Sequence, residues 1–264
     1  MLSRNQIKHI ASLQQKKYRE LNQEFLVEGE KSVADLLESS YEVKGLYCTV
    51  EWLIQNEKLI ERYKVNVQEI TTEELARISL LKTPNKVLAT ATIPSMPERS
   101  TRMYDDLVLV LDNIRDPGNL GTIIRTADWF NIHNIVCSIG CVDAYNPKVV
   151  QSTMGSIVRT NLYYMDLKKL LKSSPAEILT YGCLLDGENI YTTPLQCPAI
   201  IIIGNESNGI SADILPMISA RIRIPSFPSD SDEGISGHAE SLNASLANAI
   251  VCYEFRRRQS LLNL

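Results

Sequence analysis

No stretch of this 264-residue chain is apolar over the ~18–20 residues that crossing a bilayer requires, and runs such as 199–203 are strand-sized. The first ten residues, MLSRNQIKHI, lack the apolar core of a signal peptide, so a cytoplasmic placement is expected. The six cysteines (Cys48, Cys137, Cys141, Cys183, Cys197 and Cys252) form no C-x-x-C pair. Only His9, His133 and His238 accompany them, which argues against a zinc site or a disulfide framework. There is no overall basic excess either: 27 Lys and Arg stand against 31 Asp and Glu, a net charge of −4. Composition is that of an ordinary globular protein, 44% hydrophobic and 22% charged with 12 Gly and 11 Pro, which excludes collagen, coiled coil and disorder as its main character. The length accommodates one large domain or two modest ones.

The average charge hides a local bias. Residues 1–22 carry Arg4, Lys8, Lys16, Lys17 and Arg19 against Glu20 alone. Such a cluster is either a solvated helix face or a patch that meets phosphates.

Ile7, Ile10, Ala11 and Leu13 fall near helical spacing, and 25–39 reads as a strand running into a helix. Strand-like 43–50, helical 71–81 with Thr71 or Thr72 as cap, and strand-like 86–93 follow. Residues 94–106, with two prolines and almost no apolar content, read as a linker, so domains are expected over 1–96 and 105–264. Beyond it the pattern becomes a regular α/β alternation, with strands expected at 107–112, 135–139, 160–165, 177–185, 199–204 and 221–225. Helices are expected over about 122–131, over 147–154 and from Ser241, as cap, to Arg258. In this last helix Leu242, Leu246, Ala249, Ile250 and Tyr253 form one apolar stripe. A mostly parallel sheet with helices on both faces accounts for this order.

Three strand-to-loop junctions lie where ligands bind in such sheets. The first, LDNIRDPGNLGTIIRTAD (111–128), offers Asp112, Asn113, Asp116, Asn119, two glycines, a helix N-terminus and Arg125 one turn further on. It is either a tight connection or an anion-binding loop. The second, IIIGNESNGIS (201–211), places Gly204, Asn205, Glu206 and Gly209 after an apolar strand and is neither a Walker A loop nor a dinucleotide fingerprint. The third runs from RIRIP (221–225) through a long polar loop to Ser241, Leu242 and Asn243. A Ser241/His238/Asp112 hydrolase lacks the G-x-S-x-G elbow. A nicotinamide-type oxidoreductase is disfavoured because GNLG (118–121) supplies no glycine fingerprint.

Taken in order, the junctions resemble the three motifs of the SpoU (TrmH-like) branch of the SPOUT RNA methyltransferases. The first matches from Asn113 through Asp116, Pro117, Asn119, Gly121 and Arg125 to Ala127. The second matches at Gly204, Glu206 and Gly209, and the third at Ile224, Pro225, Ser241, Leu242, Asn243, Ser245 and Ala247. Residues 1–93 resemble the small ribosomal-protein-like α/β substrate-binding domain found ahead of many such enzymes, with Asn85-Lys86 where the family often has Gln-Gly.

The resemblance implies an α/β fold with a deep trefoil knot in the C-terminal sheet. It also implies 2'-O-ribose methylation of RNA from S-adenosyl-L-methionine, and a homodimer. Ribosomal RNA is favoured over tRNA by the separate N-terminal domain; no membrane or metal is implied. Asn119, Arg125 and Glu206 are the implied catalytic residues. Gly204, Asn205, Ile224, Ser241, Leu242 and Asn243 are implied at the cofactor, and the basic residues of 1–22 at RNA. An arginine is protonated at ordinary pH, so Arg125 is expected to clamp phosphate and stabilise the alkoxide, with Glu206 or water as proton acceptor. The 15 residues between Pro225 and Ser241 include Asp230, Asp232 and Glu233 and form either a lid or a solvated insertion. The competing reading is an RNA-binding or ribosome-assembly protein that keeps the fold without methylating.

Overall fold

A computed structural model describes residues 1–98, 100–227 and 240–262. His238, Asp230, Asp232 and Glu233, and with them the lid reading, lie outside the described residues. The chain forms two compact units, Met1–Ser95 with Asp143–Arg159, and Met96–Val142 with Thr160–Leu264.

The first unit begins with α1 (Arg4–Ser12) and α2 (Lys16–Asn22), then β1 (Glu24–Glu28), α3 (Glu30–Leu37) and β2 (Val43–Cys48). It continues through α4 (Val50–Gln55), α5 (Glu57–Tyr63), β3 (Val67–Glu69), α6 (Thr72–Ile78) and β4 (Val87–Thr92). Local signals set several boundaries. Ser3 and Thr71 each open a helix with a reciprocal capping box, to Gln6 and Glu74. The sheet order is β1-β4-β2-β3, antiparallel except where β2 meets β3. Ile10, Leu13, Leu26, Leu75, Ile78 and Leu88 pack one core of the unit.

The second unit holds β5 (Leu107–Leu111), α7 (Pro117–Trp129) and β6 (Asn134–Cys137). The chain then supplies α8 (Pro147–Thr153) to the first unit. It resumes the second with β7 (Asn161–Tyr164), α9 (Leu167–Lys172), β8 (Leu179–Asn189), β9 (Ala199–Ile203), β10 (Ala220–Arg223) and α10 (Ala244–Leu262). All six strands are parallel, in the order β10-β8-β9-β5-β6-β7. β5 and β9 sit at the centre and are buried at every position, as a parallel strand covered on both faces must be. Leu111 pairs with Ile203, so the loops leaving these strands start side by side.

Two helix boundaries differ from expectation. α7 begins at Pro117, not near 122: Asp116 accepts the Asn119 amide at 2.8 Å as N-cap, and proline suits the first helical position. Arg125 is therefore about two turns into the helix. α10 begins at Ala244, because Asn243 Oδ1, and not Ser241, accepts the Ser245 N–H at 3.0 Å. The anticipated stripe on α10 is also not the core face. Leu242, Leu246 and Tyr253 are 45%, 57% and 54% exposed, whereas Ala244, Asn248, Val251, Cys252 and Phe255 are buried.

Arg256 anchors α10. Its guanidinium donates to both Asp106 carboxylate oxygens at 2.7 and 2.6 Å, and to the Phe130 and Asn131 carbonyls at 2.7 and 2.9 Å. Burial pushes the Asp106 carboxyl up, but the paired hydrogen bonds from Arg256 outweigh it and hold it below its ordinary value. The stabilisation from this pair is present above the unfolded carboxyl's pKa of about 3.9 and is lost as pH falls through the depressed folded value. Asp106→Asn is expected to lower Tm at pH 7 by roughly 2–4 °C, about 1 kcal/mol after allowance for solvent screening, and to flatten the acid limb of the Tm–pH curve. Thermal melts from pH 2 to 8 check both.

Candidate active site

The site is built where β5 and β9 end. Asp112, the first residue after β5, is 2% exposed. Its Oδ2 accepts the Ser211 N–H at 2.7 Å and its Oδ1 accepts the Asn113 side-chain amide at 2.9 Å. Asn113 adopts a left-handed conformation (φ 56°), which asparagine tolerates, and its N–H is received by Ser138 Oγ at 2.9 Å. One buried carboxylate thus joins the loop after β5 to the loop after β9.

The second loop closes on itself. Asn205 and Gly209 exchange backbone hydrogen bonds at 3.0 and 2.9 Å, and Asn205 Oδ1 receives the N–H groups of Ser207 and Asn208. Asn205 Nδ2 donates to the Asn113 carbonyl at 2.9 Å. Its side chain and its backbone N–H are therefore spent on the loop, so a ligand could use only the second lone pair of its carbonyl. Gly204 is required by close approach: a Cβ there would lie 2.3 Å from the Gly209 carbonyl carbon and 2.5 Å from Ile210 N. Gly209 has open space but a left-handed φ of +63°.

Asn119, in the first turn of α7, connects all three junctions. Its Nδ2 donates to Glu206 Oε1, and its Oδ1 accepts from Asn243 Nδ2 at 2.9 Å. The other oxygen of Glu206 faces Asn205 Nδ2 at 3.4 Å. The structure thus brings Asn119, Asn205, Glu206 and Asn243 together. Arg125 is exposed and makes no hydrogen bond or ion pair to another described residue. Ile224 is partly exposed, while Ser241 and Leu242 are exposed at the mouth of α10. Asp112 belongs to the first junction read from the sequence, but its role as the framework joining the two loops, with Ser138 and Ser211, was not read there, although a carboxylate directly after a buried strand was the available signal.

The N-terminal basic residues divide. Arg4, Lys8, Lys16 and Lys17 are exposed. Arg19 is 2% exposed and belongs to the core instead: it pairs with Asp143 at 2.6 Å and donates to the carbonyls of Leu13 and Gln14. It is not part of an RNA-facing patch, because a buried guanidinium already holding these acceptors cannot meet a phosphate.

Residues 106–253 match the model of the SpoU rRNA methylase family, and residues 4–89 that of the MRM3-like substrate-binding domain. This chain belongs to the SpoU rRNA methylase family. It is 29% identical to a Bacillus subtilis 23S rRNA guanosine 2'-O-methyltransferase, over 95% of each chain. A Porphyromonas gingivalis protein assigned to the TrmH family of RNA methyltransferases superposes with a TM-score of 0.83 at 37% identity, covering 98% of this chain and 99% of that one. An AdoMet-bound rRNA methyltransferase from Sinorhizobium meliloti gives 0.82 at 26% identity, covering 98% and 96%. No described helix of this SpoU-family chain is long and apolar enough to cross a membrane.

The two loop glycines carry different constraints, and their substitution separates them. Gly204→Ala is expected to cost about 1–3 kcal/mol because backbone must move. Gly209→Ala is expected to cost only about 1–2 kcal/mol of left-handed strain. Denaturant unfolding of both variants tests the order, which fails if Gly204→Ala is the milder change.

Proposed function

We propose that this chain transfers the methyl group of S-adenosylmethionine to a ribose 2'-hydroxyl of ribosomal RNA at the site organised by Asn119. The carrying observation is that one amide side chain links the three loops that bear the family motifs. The 2'-O-methyltransferase activity of the Bacillus subtilis relative and the AdoMet in the Sinorhizobium meliloti structure support the reaction and cofactor.

The residues present fit that cofactor. Leu242 leaves apolar surface uncovered next to Asn243, whose amide bonds to that of Asn119, and Ile224 is partly exposed. No described group of three His, Cys, Asp or Glu residues is placed to hold a metal ion. When bound, the sulfonium supplies a methyl group already activated for displacement. Gly204, Ile224, Ser241, Leu242 and Asn243, with the Asn205 backbone, form the cofactor side of the site. Asn119 and Glu206 orient the ribose hydroxyl, and orientation supplies much of the acceleration in an in-line transfer. Arg125, with its guanidinium unspent, clamps the neighbouring phosphate and stabilises charge developing on the 2'-oxygen. It stays protonated, so the proton passes to Glu206 or to water.

Residues 1–96 serve as the RNA-binding domain and 105–264 as the methyltransferase domain, with 143–159 folding into the former unit. Arg4, Lys8, Lys16 and Lys17 face the RNA backbone. Six free cysteines accord with a reducing cytoplasm. A homodimer forms through α7 and α10, where Trp129 is 84% exposed and Leu246 and Tyr253, seven residues apart, share one open stripe.

Incubation with labelled S-adenosylmethionine and 23S rRNA, followed by mapping, is expected to place label on a ribose; label only on bases, or none, overturns the reading. In the same assay Arg125→Lys is expected to lose about 10²-fold in turnover. Turnover near that of the wild type contradicts the clamp. A Trp129→Asp/Tyr253→Asp variant is expected to sediment as a monomer where the wild type sediments as a dimer.

A further inference from the structure

The first unit contains a half-open pocket of 390 Å³ that the methyl-transfer chemistry does not use. Its size falls at the low end of the roughly 300–1,000 Å³ typical of small-ligand sites. Leu26, Leu80 and Val150 supply aliphatic walls, so the pocket is built from β1, the segment after α6, and α8, whose sequence lies between β6 and β7.

The polar residues around it are Glu28, three amides (Gln14, Asn146 and Gln151) and Lys148. Glu28, the acidic residue in the lining, is 7% exposed and already committed: one oxygen accepts from Ser79 Oγ at 2.5 Å and the other from Leu80 N–H at 2.9 Å. It is therefore poorly placed to serve a cation. Gln14, Gln151 and Lys148 also line the pocket, and the side chain of none of the three bonds to another described residue. Exposed Lys16 and Lys17 follow Gln14 in the chain, and exposed Lys82 follows Leu81, which also lines the pocket. Aliphatic walls, two unspent amides able both to donate and to accept, and a cationic margin suit a flat heteroaromatic ring attached to phosphates.

We propose that this pocket receives one unstacked nucleobase of the RNA substrate. The apolar walls cover its faces, Gln14 and Gln151 bond its polar edge, and Lys148 with the neighbouring lysines meets the flanking phosphates. Because amides can present either polarity, the pocket accepts more than one base and serves to fix the strand's register. The proposal rests on the RNA reading above and extends it to a second contact point.

The test uses the full chain and two single-stranded hexaribonucleotides, one carrying 2-aminopurine among its bases and one abasic throughout. The base-bearing hexamer is expected to bind about tenfold more tightly, with its fluorescence changed on binding. A Gln14→Ala/Gln151→Ala variant, checked for an unchanged melting profile, is expected to lose most of that preference. If the variant unfolds, Lys148→Glu on the exposed rim is expected to weaken hexamer binding and to reduce its salt dependence. Equal affinity for the two hexamers, or a preference that survives the double substitution, overturns the pocket. Methyl transfer to 23S rRNA is scored separately. Wild-type methylation alongside equal hexamer affinities refutes the pocket alone, and hexamer discrimination without methylation refutes the reaction alone.

Discussion

The candidate site depends on a single carboxamide. Asn119 offers one donor group and one acceptor, and it spends them in two directions, on Glu206 beyond β9 and on Asn243 at the start of α10. An aspartate of the same shape would lack the donor and would place a second carboxylate against Glu206. A leucine would satisfy neither partner. The requirement for asparagine is therefore one of hydrogen-bond polarity as much as of size. It is met because Asp116 and Pro117 start α7 early enough to put residue 119 in the first helical turn.

Beneath that amide lies a second layer of constraint. The central strands are apolar at every position and carry no chemistry themselves; they bring two loop origins next to each other. Asp112 then converts adjacency into a fixed arrangement, since a buried carboxylate without its N–H partners would be costly. The short clasp between Asn205 and Gly209 and the missing side chain at Gly204 complete it. The division of labour is clear: the framework residues bond to one another around the buried Asp112, while Arg125 is left exposed and unspent.

Much of this was legible in the sequence, for identifiable reasons. Apolar runs of strand length declared β5 and β9, and alternating helices declared the parallel sheet. Three fingerprints in fixed order identified the family and pointed to the loops that Asn119 joins. Periodicity misled at α10, where Leu242, Leu246 and Tyr253 repeat at helical spacing yet face outward while Asn248 and Ser245 are buried. A stripe identifies an apolar face but not what covers it. Arg19 misled in the same way, because a sum over charges cannot reveal that Asp143, 124 residues further on, neutralises it. The early start of α7 was hidden by glycines that look like loop residues. Helices α4 and α5 are short, one to two turns each, and offer little periodicity.

The salt bridge from Arg19 to Asp143 and the tilted ring contact of Phe25 with Tyr145, with ring centres 4.8 Å apart, give the first unit an unusual dependence on distant sequence. A polypeptide ending near residue 95 would keep the β1-β4-β2-β3 sheet but would leave a guanidinium stranded in apolar surroundings and an aromatic ring uncovered. Recombination between members of the family cannot then treat the two halves as freely exchangeable cassettes. A viable chimera would have to inherit residues 143–159 together with the N-terminal segment they complete, so inheritance here follows the packing and not the order of the gene.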